Sequence, residues 1–586
     1  MQSETRIHSA GSVSTICQNC KKDFTIEPED FNFYEKIKVP PPTFCPECRL
    51  VRRLSFRNER ALYKRKCDLC GKDEILMFSN ESPFKTYCYS CWWSDNWDSE
   101  KYGKDYDFNK SFFEQFKELL YAVPRPGNLK QGNIINSQYS NRVSEIKNCY
   151  LCFGCNLDED CMYDSWVNDS KECTDCLNVQ KCERCYECVS CTSCYDLSHS
   201  DESIMCSSSS YLFNCRNCES CFGCVNLRNK SHCIFNEQYT KEEYLNKIKK
   251  LQKDPELVKK EINKLKEKKC VPFCVYNKIE KSTGNWLDQT KNVFIGFNCR
   301  NVEDGRYIFA LNDAKDVMDY CHWGRGTELI YECINLGRQC NNVKFANECW
   351  NQFRDSEYVM NCHNSHHLFG CIGIRNKEYC ILNKQYTKED FFVLRDKIIR
   401  HMNEMPYIDK KGRVYKYGEY FPAELSPFAY NETIAQEYFP SEKIKVVSLG
   451  GKWKDPFKRN YEITRKPETL PFFIEETTDS ILDEVIGCTN NGKPETMCTT
   501  AFRITQNHLF FNKKMGISLP KFCPNCRHFD RLAKRNPLRL WHRHCMCDKK
   551  NHFHGAEKCS IEFETSYASD RPEIVYCEKC YQQEVY

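Results

Sequence analysis

The chain has 586 residues, 44 of them cysteine, and a formal net charge of only +4. At roughly 100–200 residues per domain this length supports three to five domains, and the near-neutral charge excludes a globally basic nucleic-acid-binding protein, so any such surface must be local. No apolar run of about eighteen residues occurs, and the opening MQSETRIHSAGSVSTIC has no apolar export segment; a soluble, cytoplasmic protein with reduced or metal-bound cysteines and no membrane partner is the expectation.

Residues 1–100 hold four Cys-x-x-Cys knuckles: Cys17 and Cys20, Cys45 and Cys48, Cys67 and Cys70, Cys88 and Cys91. This spacing turns both sulfurs of a knuckle toward one ion, and two knuckles close a tetrahedral thiolate site with no open position. Two zinc sites are expected, as sequential ribbons or cross-braced. Arg49, Arg53 and Arg57 follow the second knuckle at i, i+4 and i+8, which a short helix would place on one face, with Arg60, Tyr63 and Arg65 beyond. Guanidinium forks bind phosphates and aromatic rings stack on unpaired bases, so this stripe is the candidate RNA contact. The alternative is that the arginines cap ribbon carbonyls and pair with acids elsewhere.

Residues 101–135 read as a helical connector. Across 136–239, cysteine recurs with a step of 21, as at Cys152, Cys173, Cys194 and Cys215, or Cys161 and Cys182. A fixed period in the low twenties, with strand-like pieces between Asn, Asp and Ser turns, predicts a parallel β-solenoid with one coil per repeat. Within it CERCYECVSCTSC places Cys182, Cys185, Cys188, Cys191 and Cys194 at every third position, without the gap and proline of a ferredoxin cluster. On a strand of period two these cysteines cannot all face inward. Either a turn interrupts them or some are exposed, and an additional ion at Cys188 and Cys191 stays open.

A charged helix capped by Thr240 opens a linker over 240–285, and a second solenoid is expected over 286–386. There GCIGIRNKEYCILNKQYTKEDF (370–391) repeats GCVNLRNKSHCIFNEQYTKEEY (223–244), while Val, Tyr and Ile outnumber the cysteines. If apolar residues can replace cysteines, many cysteines are small core residues. NCHNSHHLFGC (361–371) gathers His363, His366 and His367, read as a surface cluster on a solenoid turn rather than an open metal site. Residues 387–485 open with a second Thr-capped helix and continue as an aromatic connector.

The C-terminal segment, 486–586, repeats the first module. Cys20, Cys45, Cys48 and Cys67 recur 478 positions later as Cys498, Cys523, Cys526 and Cys545, and Arg49, Arg53, Arg57 and Arg65 as Arg527, Arg531, Arg535 and Arg543, with Arg539 and Trp541 between. Glu495 stands at the place of Cys17, so Cys488 is the expected fourth ligand of the first site. The second is assigned Cys545, Cys547, Cys577 and Cys580, with Cys559, His552 and His554 competing.

CQNCKKDFTIEPEDFNFYEKIKVPPPTFCPECR resembles a bacterial zinc-ribbon domain family over residues 15–55, and less closely over 486–530. The whole chain resembles multi-ribbon, cysteine-rich bacterial proteins. The resemblance implies zinc and a small β fold, and no activity. Arg49 and Arg527 stand where a rubredoxin knuckle carries glycine, which favours zinc over iron.

The expected architecture is mainly β, with paired zinc ribbons at both ends flanking two cysteine-rich parallel β-solenoid segments with capping helices. The expected function is a non-catalytic scaffold with about four structural zinc ions whose ribbon helices contact RNA or a ribonucleoprotein such as the ribosome. A scaffold for a protein partner is the alternative, and metal or redox buffering by solenoid cysteines the third reading. No phosphate loop, nucleophile elbow or paired-carboxylate motif argues for an enzyme.

Overall fold

A computed structural model describes residues 6–7, 11–455 and 461–586. The chain divides into two compact units, 1–128 with 274–454, and 129–273 with 455–586. Each unit joins a ribbon module to the solenoid that is remote from it in sequence.

In the unit built from 129–273 and 455–586, parallel bridges pair residues twelve apart, such as Phe153 with Ser165 and Ser165 with Leu177, or Glu183 with Tyr195 and Tyr195 with Ser207. Every third residue has a left-handed backbone, as at Leu151 (φ 53°), Tyr163 (60°), Asp175 (57°) and Glu187 (51°). Each triplet therefore consists of a residue that turns the chain, an inward residue and a bridging residue, and four triplets complete a square coil. A left-handed non-glycine residue costs roughly 1–2 kcal/mol. Asn and Asp tolerate that conformation, and on successive coils they bond to each other: Asn148 Nδ2 donates to Asp160 Oδ1 (2.9 Å), and Asn217 Nδ2 to Asn229 Oδ1 (2.7 Å). Backbone bonds to the coils on either side offset the rest, as where Met162 N donates to Cys173 O (2.9 Å) and Tyr163 N to Tyr150 O (2.8 Å).

The coil of twelve corrects the expected repeat of 21. One inward residue in three makes any multiple of three recur, and 21 is such a multiple without being a coil. Cys194 stacks between Cys182 and Cys206, its amide donating to Cys182 Sγ at 3.3 Å, rather than between Cys173 and Cys215. A turn at every third residue also answers how CERCYECVSCTSC packs. All five of its cysteines face inward and are at most 3% exposed. The lumen admits four side chains per coil, so small residues line it: cysteine throughout, with Val167, Val179, Ser200 and Leu197 at equivalent places. None of the 44 cysteines is joined in a disulfide.

The ladder starts at Lys130 and ends in an antiparallel hairpin, Cys233–Ile234 with Glu237–Gln238. Two helices follow, Lys241–Leu251 and Pro255–Lys268. Thr240 and Glu243 form a capping box on the first, and Asp254 caps the second. Their Tyr244, Val258 and Ile262 pack on Phe222 and Ile234, covering the last coils.

The unit built from 1–128 and 274–454 repeats the plan with a more aliphatic lumen, including Val293, Cys299, Val302, Ile308, Leu311, Val317 and Tyr320. Its coils hold twelve residues (Leu287 with Cys299) or thirteen (Ile330 with Val343 and Val343 with Ser356). Cysteines and aliphatic residues share the buried cores of both solenoids, which places many of the cysteines as small core residues. The helix Lys388–Glu404, capped by Thr387, follows the closing hairpin. The aromatic connector is ordered against this solenoid: Tyr420 and Phe421 are buried, Phe421 stacking on Phe116 at 4.9 Å and Tyr420 meeting Phe56 at 5.5 Å. Among the described residues no helix is long and apolar enough to cross a membrane.

Candidate metal centres and the arginine latch

Four cysteine tetrads share one local design. The first knuckle of each lies at the turn of an antiparallel hairpin: Val13–Ile16 with Asp23–Ile26, Tyr63–Lys66 with Asp73–Leu76, Ile486–Gly487 with Ala501–Phe502, and Trp541–His544 with Glu562–Thr565. The second opens a helix, with Cys45, Cys88, Cys523 and Cys577 as N-caps. The helix N-terminus favours the thiolates gathered there. In all four the amide of that N-cap cysteine donates to the first sulfur of the hairpin knuckle, at 3.2–3.3 Å: Cys45 to Cys17, Cys88 to Cys67, Cys523 to Cys488, and Cys577 to Cys545.

The tetrads are Cys17, Cys20, Cys45 and Cys48; Cys67, Cys70, Cys88 and Cys91; Cys488, Cys498, Cys523 and Cys526; and Cys545, Cys559, Cys577 and Cys580. A tetrahedral ion with metal–sulfur bonds of about 2.3 Å requires sulfurs about 3.8 Å apart. The observed separations are 3.8 Å for Cys20 and Cys45, 4.0 Å for Cys70 and Cys88, 3.8 Å for Cys488 and Cys526, 3.9 Å for Cys498 and Cys523, and 3.8 Å for Cys559 and Cys577. The residues fit a metal ion, and the knuckles group sequentially rather than cross-braced. Cys488 takes the fourth place as expected. The last tetrad differs from the expectation: Cys559 holds the position assigned to Cys547. Asp548 stands where the first module has Cys70, and a longer loop reaches Cys559 instead. None of the solenoid cysteines belongs to such a group among the described residues, Cys188 and Cys191 included.

The arginine stripes face inward. The helix Pro46–Leu54 lays Arg49, Arg52 and Arg53, each at most 4% exposed, against the solenoid of its own unit. Arg49 Nε donates to Asp319 Oδ2 (2.8 Å) and its Nη1 to the Phe44 carbonyl (2.7 Å). Arg53 bridges Glu332 (2.6 Å) and Asp319 (3.1 Å), while Arg52 reaches Glu332 (3.1 Å) and Glu419 (3.2 Å). Three guanidiniums thus meet three carboxylates. Burial would lower the Arg53 pKa, but Glu332 and Asp319 hold it above the ordinary arginine value; the same burial pushes Glu332 up against the pull of Arg53 and Arg52. The charged pair is the state that satisfies this geometry, because arginine does not give up its proton.

The second copy repeats the contact. Arg527 Nε donates to both oxygens of Asp175 (3.0 and 2.9 Å) and its Nη1 to the Phe522 carbonyl (2.9 Å), and Arg531 donates to Asp175 (2.8 Å) and the Tyr163 carbonyl (3.1 Å). The first ribbon of each module docks on the same ladder of turn residues, Tyr163, Asp175 and Glu187 in one unit and Tyr307, Asp319 and Glu332 in the other. The guanidinium of Arg527 lies 4.6 Å from the Tyr163 ring and that of Arg49 lies 5.5 Å from Tyr307. Sequence reading missed these acids; their signal is a tyrosine, an aspartate and a glutamate at coil spacing.

Other stripe residues are also engaged. Arg57 donates to Glu59 (2.6 Å); Arg65 to Asp68 (2.7 Å) and the Ser79 and Phe84 carbonyls (both 3.0 Å); Tyr63 to Glu432; and Arg543 to the Ala568 carbonyl (3.1 Å). Arg60 and Arg535 are half-buried. The assignment of Arg49, Arg53, Arg57, Arg65, Arg527 and Arg531 to RNA contact is therefore corrected: these buried or nearly buried side chains cap ribbon carbonyls and pair with acids. Arg539 is exposed, its guanidinium 6.0 Å from the half-buried Trp541 ring. Of the histidines, His363 is buried against Trp350, at 4.1 Å between ring centroids, and burial lowers its pKa to about 3, while His366 Nε2 lies 3.1 Å from Glu378. The three do not meet around one point. No protein-family model matches this chain, and no curated protein matches it.

Proposed function

We propose that the protein is a non-catalytic scaffold stabilised by four structural zinc ions, which offers its solenoid surfaces to a protein partner. The observation that carries this reading is the closure of the sites. Every tetrad is four-cysteine and complete, which leaves no coordination position for a substrate, and the arginine helices are latched to the solenoids. Zinc is preferred to iron because Arg49 and Arg527 follow the knuckles. So many cysteines without a disulfide suit a reducing compartment, the cytoplasm. Solenoids use extended, regular faces for binding.

RNA contact is the second reading, and the observation favouring it is the exposed Arg539 beside Trp541, just ahead of the strand Trp541–His544. Titration of labelled single-stranded RNA against the full chain at two salt concentrations separates the two. The protein scaffold predicts no saturable binding. The RNA reading predicts affinity that falls steeply with salt, with a shallower slope in Arg539→Glu. Metal analysis of the same sample tests the zinc: fewer than four zinc ions per chain, or iron in their place, overturns the proposal.

A further inference from the structure

The loop 546–558 of the last hairpin, MCDKKNHFHGAEK, carries a second ligand set of its own. Cys547 Sγ lies 3.1 Å from His552 Nδ1 and 3.4 Å from His554 Nε2. Cys580 completes the group, all four ligand atoms lying within 4.8 Å of one another. One ion with metal–sulfur bonds of about 2.3 Å and metal–nitrogen bonds of 2.0–2.1 Å would place sulfur and nitrogen about 3.5 Å apart. One remaining ring nitrogen is oriented by an acceptor, His554 Nδ1 donating to the Glu557 carbonyl (2.7 Å), while Glu584 Oε2 lies 3.6 Å from His552 Nε2. A carbonyl accepting from the far ring nitrogen, as behind His554, is an arrangement that fixes tautomer and ring direction at metal sites.

We propose that this module binds a second divalent ion, zinc, through Cys547, His552 and His554, with the Cys580 thiolate shared between it and the neighbouring tetrad. A second ion also relieves the negative charge gathered at this end of the module. A single tetrad around one divalent ion carries a net −2. Five thiolates around two divalent ions carry −5 + 4 = −1, with both imidazoles neutral. The second ion would add a tether to a loop that Gln583 and Val575 also hold, Phe553 N donating to Gln583 Oε1 (2.9 Å) and Met546 N to the Val575 carbonyl (3.0 Å), where the first module has the tight Cys67/Cys70 knuckle.

Metal analysis of the full chain reads the proposal directly. Five zinc ions per chain are expected, falling to four in the His552→Ala/His554→Ala variant. Four ions in the parent chain, or five in that variant, overturns the second site while leaving the four-tetrad reading intact; fewer than four overturns that reading instead. Should the variant fail to fold, cadmium NMR of the parent chain loaded with the NMR-active isotope decides. Two resonances coupled to each other through one sulfur support the shared thiolate, and the absence of such a coupling overturns it.

Discussion

Arg53→Met tests the latch between ribbon and solenoid with one substitution. Arg53 is fully buried and makes contacts of 2.6 Å to Glu332 and 3.1 Å to Asp319. Methionine keeps much of the stem but removes the charge, leaving Glu332 with Arg52 and Asp319 with Arg49. Breaking one side of a buried pair costs about 3–5 kcal/mol, and the partners that remain place the expectation at the lower end. If the ribbon opens before it releases its ion, about 3 kcal/mol raises the open population by about 10²-fold. The assay is metal release from the full chain to excess chromogenic chelator, in the regime where reclosing outpaces capture. Release of the two N-terminal ions should accelerate by about that factor, while the C-terminal ions keep their rate. Adding Glu332→Leu should then cost less than the sum of the single substitutions, by more than about 1 kcal/mol. A release rate within threefold of the parent, or additive costs, would refute the latch.

Three further outcomes follow from the lumen and the tetrads. Asp158 faces inward at 2% exposure, and burial, with Cys155 next, pushes its pKa up to about 11 from 3.8. The folded state therefore keeps a proton that the unfolded chain loses above about pH 4, so this group's contribution to stability falls as pH rises through the neutral range. Asp158→Ser copies Ser170 one coil on, whose hydroxyl accepts from Cys182 N and donates to Asn168 O; unfolding midpoints should show the variant gaining on the parent from pH 6 to pH 9, and parallel profiles would refute the neutral carboxyl. Cys191→Val should cost under about 1.5 kcal/mol and leave the metal content unchanged, because Val179 occupies the same ladder one coil earlier; loss of an ion would show that the lumen thiols ligate. Cys17→Ser should remove one ion of four tetrads and raise proteolytic cleavage within 11–48, with the C-terminal module unaffected.

Much of the grouping of the candidate metal ligands was legible because it is local. A two-residue spacing dictates a knuckle wherever it stands, and the 478-position repeat located the second copy, including Cys488 in place of a lost partner. The last tetrad was misread because ligand choice between Cys547 and Cys559 depends on how a loop of a dozen residues folds back, which spacing does not dictate. The solenoid was legible in kind and not in period. Inward side chains recur every three residues, so many steps look periodic, and only the bridges between coils distinguish twelve from 21.

The arginines mark the boundary most clearly. By itself the sequence determined that Arg49 and Arg53 share a helix face, and that Arg527 and Arg531 repeat them. What that face meets was decided by tertiary structure, because Asp319 and Glu332 lie about 270–280 residues away in the chain and Asp175 about 350. A guanidinium fork serves a phosphate and a carboxylate equally well. Local pattern specifies the fork and its direction on the helix, whereas the folding that brings each ribbon onto a solenoid remote in sequence selects the carboxylate.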